Sequence, residues 1–78
     1  MRQMVTAFIL ITTKAGKEKE VREKLEKLSV IQDVQVVYGD FDIIAKLKAK
    51  NMDELNSFIF DKIRTIPEIS VTSTLVST

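Results

Sequence analysis

The chain has 78 residues, enough for one domain spanning 1–78 and a core of modest size. It holds no Cys and no His, which excludes disulfides, the usual zinc sites and a His general base. Twelve basic and 11 acidic residues leave a net charge of +1, without the basic excess that phosphate binding requires, so no direct nucleic-acid contact is expected.

The first apolar run, Val5 to Ile11, is far short of the ~20 residues that cross a bilayer, and no small-residue cleavage site follows it. No membrane contact is expected, and a cytoplasmic location is the default. Abundant Lys, Glu and Ile also suit a thermophile.

Residues 4–12 predict a strand that is apolar on both faces, with Val5, Ala7, Ile9 and Ile11 on one and Phe8 and Leu10 on the other. Residues 17–28 predict a helix with a dry stripe of Val21, Leu25 and Leu28. The pairs Glu20–Lys24 and Glu23–Lys27 have i,i+4 spacing, and the Lys/Glu face reads as solvated.

Residues 31–38 and 41–48 predict two strands joined by a tight hairpin at Gly39-Asp40. In the first of these, Val34 and Val36 fall on one side and Ile31 and Val37 on the other. Residues 52–65 predict a second helix, with Asn51 as N-cap, Glu54 at the capping-box position and a stripe of Leu55, Ile59, Ile63 and Ile66 beside Phe58. Pro67 ends it, and β-branched residues 69–76 predict a last strand.

The order βαββαβ is that of the α+β, ferredoxin-like split βαβ plan: a four-stranded antiparallel sheet with two helices on one face. The expected strand order is last, first, third, second. Two helices cover one face only, so the apolar second face is expected to meet a copy of itself. A dimeric sandwich results.

From Ile31 to Lys46 the sequence resembles the effector-binding (RAM) domain of the Lrp/AsnC regulators. The likeness rests on the hairpin Gly39-Asp40-Phe41-Asp42 and on Pro67 followed by Thr72-Ser73-Thr74. The family usually has Gly where Glu68 stands. Its regulators carry a helix-turn-helix domain ahead of this one, whereas this chain starts at the first strand, as stand-alone members do.

The resemblance implies an amino-acid-binding and oligomerisation module linked to transcription regulation. It implies dimers assembling further, with four dimers in a ring, and clefts between dimers that take an amino acid or related metabolite. A full-length Lrp/AsnC regulator is a further expected partner; no cofactor or metal is implied. The ligand residues expected on this basis are Tyr38, Gly39, Asp40, Phe41, Asp42, Thr72, Ser73 and Thr74.

In that site Asp40 and Asp42 accept from an ammonium, while backbone N–H groups of the hairpin and the Thr72 and Thr74 hydroxyls donate to a carboxylate. Read as residues alone, Gly39-Asp40 serve equally as an ordinary turn, Thr72 and Thr74 as strand formers, and Tyr38 and Phe41 as packing. With few nucleophile or acid–base candidates, no enzyme activity is expected. Two rival readings are an ACT-like regulatory subunit of an amino-acid metabolic enzyme and a purely structural assembly domain.

Overall fold

A computed structural model describes residues 4–77. Its elements are β1 (Val5–Thr13), α1 (Glu18–Glu26), β2 (Ile31–Val36), β3 (Ile43–Ala49), α2 (Met52–Phe58), which continues as a π-helical turn (Ile59–Ile63), and β4 (Ile69–Ser77). The sheet is antiparallel with order β2-β3-β1-β4, as the split βαβ plan requires.

Strand alternation decides which side chains meet the helices. On β1 the set Ala7, Ile9 and Ile11 is fully buried, and on β3 so are Ile43, Ala45 and Leu47. They close on Val21 and Leu25 of α1 and on Leu55, Ile63 and Ile66 from the second helical segment. The opposite face carries Phe8 and Leu10, with Ile44 beside Leu10 and Leu75 beside Phe8 in register. Val71 and Leu75 on that face are more than half exposed.

Five local expectations are corrected. The β2–β3 connection is wider than a two-residue hairpin: the last strand pair is Val36–Ile43, and Val37 N–H donates to the Asp42 carbonyl at 2.8 Å. Phe41 and Asp42 therefore lie in the loop. Asp42 is held there because its own N–H donates to the Ile11 carbonyl at 2.8 Å.

Ile31 shares the helix-facing side with Val34, because the register shifts between Ile31 and Asp33 and the extra residue reverses the alternation. The ion pairs on α1 are Lys17–Glu20 at 3.1 Å and Arg22–Glu26 at 3.4 Å, not the two expected from spacing, and Lys24 turns to Glu68 instead.

The second helix loses its regular pitch after Phe58. Arg64 N–H donates to the Ile59 carbonyl, five residues back, at 2.9 Å. Thr65 Oγ1 donates back to the Asp61 carbonyl at 3.1 Å, occupying an acceptor of that turn. At the other end Asn51 Oδ1 accepts from Glu54 N–H at 2.8 Å, as expected of a cap. Glu54 Oε1 reaches one residue further than the capping box predicts, accepting from Lys50 N–H at 2.7 Å.

Candidate functional site

The hairpin of the expected site stands against the start of α1. Gly39 takes φ = 127°, a conformation that side chains disfavour, and this lets the loop turn without a strained residue. Tyr38, Gly39 and Asp42 line an open cleft of about 580 Å3 together with Val36 and Val37. Its far wall is Glu18, Lys19 and Arg22 of α1.

The cleft thus holds two carboxylates and two cations beside an apolar strip. The Lys/Glu face of α1 is solvent-exposed as expected, and Lys19 and Arg22 border the cleft from that exposed face. The helical spacing of residues 18 and 22 set both on one side of α1, but only the packing of α1 on β2 shows what that side faces.

Asp42 has a structural duty that its sequence position did not reveal. Its Oδ2 accepts from Thr13 N–H at 2.9 Å and lies 3.4 Å from Thr13 Oγ1. Thr13 is the one buried polar residue among those described, so this carboxylate satisfies a donor that water does not reach. Its other oxygen, Oδ1, has no hydrogen-bond partner among the described residues. Asp40 is exposed on the loop and Phe41 is half-buried, and neither lines the cleft.

Thr72 and Thr74 occupy the other edge of the sheet. They pair in register with Ile11 and Ile9, so both hydroxyls stand on the helix side of β4. Only part of that side is covered, leaving a groove of about 560 Å3 between β4 and the π-helical turn. Asn56, Phe60, Asp61 and Arg64 complete it. Ser73 pairs with Leu10 and faces the opposite, open side, so it is not in this groove. Arg64 also borders an adjoining cleft at Ser70 and Val71, and nothing in residues 52–65 singled it out from other helical cations.

The two parts of the expected site are not brought together within one chain. β3 and β1 lie between the hairpin's strand and β4, and each cleft is open at its own edge. In volume both fall in the range of small-molecule sites. No described helix is long and apolar enough to cross a membrane.

A split βαβ antiparallel sheet with both helical segments on one face defines a ferredoxin-like α+β domain. The family model of the Lrp/AsnC ligand binding domain matches residues 6–78. The chain belongs to that family.

Its relatives include the HTH-type transcriptional regulator FL11 of Pyrococcus abyssi, 46% identical over 70 residues that make up 90% of this chain and 46% of the regulator. The chain thus spans about half the length of the curated relatives it matches.

Among solved structures, the hypothetical protein PHS023 of Pyrococcus horikoshii superposes with TM-score 0.91 at 47% identity, covering 95% of this chain and 89% of that one. AsnC of E. coli superposes with TM-score 0.89 at 31% identity, covering 94% of this chain and 50% of AsnC.

Proposed function

We propose that this single domain binds a free amino acid or a closely related metabolite and assembles with copies of itself, in the service of transcription regulation rather than catalysis. The observation that carries the reading is the pair of open clefts, each lined by charges of both signs. A zwitterion needs an anion and a cation close together, and a site with both supplies charge-assisted bonds to each end. Tyr38, Gly39 and Asp42 serve one cleft, with Asp40 and Phe41 beside them on the same loop, and Thr72 and Thr74 serve the other. Ser73, on the opposite side of β4, lies outside both clefts.

Assembly follows from the open sheet face. Phe8, Leu10, Ile44, Val71 and Leu75 form an apolar surface with no cover from the chain's own helices. Stacking it on a second copy gains roughly 25 cal/mol per Å2 of apolar area removed from water. Further association of such dimers, as four in a ring, brings the hairpin of one copy toward β4 of another and unites the two half-sites. A full-length Lrp/AsnC regulator offers a matching partner surface, and a cytoplasmic setting suits that role.

Calorimetry with the twenty amino acids, run alongside light scattering, tests the proposal. Heat and a mass of a dimer or larger support it. A monomer that binds none of them sinks it in favour of a structural role, and copurification of a metabolic enzyme subunit would favour the ACT-like reading.

A further inference from the structure

The π-helical turn does more than end a helix. An α-helix continued from Phe58 would close on i→i−4 bonds; the wider turn instead closes on the N–H of Arg64 itself, bonded to the Ile59 carbonyl at 2.9 Å. This fixes the root of the Arg64 side chain beside β4. Its guanidinium carbon stands 6.0 Å from the centre of the Phe60 ring, one helical turn back.

Among the described residues the ion pairs are Lys17–Glu20, Arg22–Glu26 and Lys24–Glu68. The Arg64 guanidinium is therefore supported by an aromatic face while its N–H donors are left uncommitted. It borders the groove that Thr72 and Thr74 also line.

We infer that Arg64 is the carboxylate anchor of the β4 groove, the residue that selects free α-carboxylic acids there. The inference rests on the amino-acid reading above and adds the determinant of its specificity. A guanidinium meets a carboxylate through two parallel N–H bonds, and two threonine hydroxyls at i,i+2 on the same side of a strand supply neutral donors to the same group.

The sign of the remaining charge narrows the ligand class. Asp61 lines the same groove. One Arg next to one Asp is a poor host for a dianion such as phosphate, because the aspartate repels the second negative charge. It suits a carboxylate that carries its own ammonium, with Asp61 accepting from the ammonium. Phe60 and Ile59 leave an apolar wall for the side chain.

The test uses the full chain and both calorimetry and NMR. L-leucine, L-glutamine and L-lysine are each titrated beside their α-amides, with inorganic phosphate as a further probe. The free acids are expected to bind about tenfold or more tightly than the amides, moving the Arg64 Nε–H resonance and the amides of Thr72 and Thr74.

R64A is expected to remove most of that preference and R64K only part, both with unchanged melting temperature. Amides binding as well as acids, phosphate outcompeting them, or acid preference surviving in R64A would overturn the inference while leaving amino-acid binding intact. No heat from any of the twenty amino acids would overturn the parent reading as well.

Discussion

Lys24 Nζ stands 2.7 Å from Glu68 Oε1, joining the last turn of α1 to the turn that launches β4. The residues are 44 positions apart, and the Glu68 carboxylate is only one-fifth exposed. Next to it, Lys14 N–H donates to the Glu68 carbonyl at 2.8 Å, so this one residue tethers both the exit of β1 and the outer turn of α1. A glycine here would supply only the backbone half of that tether.

The pair makes stability depend on pH. The hydrogen bond from Lys24 holds the Glu68 carboxyl below its ordinary range. A carboxyl whose folded pKa is depressed stabilises the fold above its unfolded value, and that contribution is lost as pH falls through the folded one. Wild type is therefore expected to melt above E68Q at neutral pH, with the gap closing below about pH 4. Melting curves of both proteins from neutral to acid pH check this; a gap that stays constant would refute the linkage.

The two aspartates of the hairpin are expected to separate fold from binding. D42A leaves the buried Thr13 N–H without an acceptor, which costs roughly 1–3 kcal/mol. D40A removes an exposed carboxylate and should leave stability unchanged while weakening amino-acid affinity. Urea unfolding and calorimetry on the two variants decide the matter, and equal stability losses would show that Asp40 also has a structural duty.

Removing the cap of α2 is expected to have a measurable local cost. N51A deletes the acceptor of Glu54 N–H, a loss of about 1 kcal/mol for a cap of this kind. A shift of the urea midpoint with unchanged slope is the expected signature.

The open sheet face is expected to carry self-association. L10E, whose neighbours in register are Ile44 and Ser73, would put an unpaired charge into a stacked apolar interface, at a cost of several kcal/mol. Light scattering is expected to show a smaller particle with native circular dichroism. An unaltered mass would place the contact elsewhere on the molecule.

Much of this architecture is written in local periodicity. Two-residue alternation in β1 marked both its core set and its bare set, Asn51 announced a helix start, and Pro67 a stop. The element order then left the strand arrangement little freedom. The Gly39 turn and the Thr72–Thr74 pair were also legible, because a positive-φ residue and an i,i+2 hydroxyl pair are local patterns.

What the tertiary structure alone decided is which charged groups serve these patterns. Glu18, Arg22, Asp61 and Arg64 look like any solvated helical residues until the helices are laid on the sheet. Asp42 gains its buried partner, and Lys24 its distant one, from the strand register and the packing of α1. Local patterning depends on neighbours in the chain, whereas a binding wall or a long-range ion pair depends on which surfaces meet, and packing sets that across tens of residues.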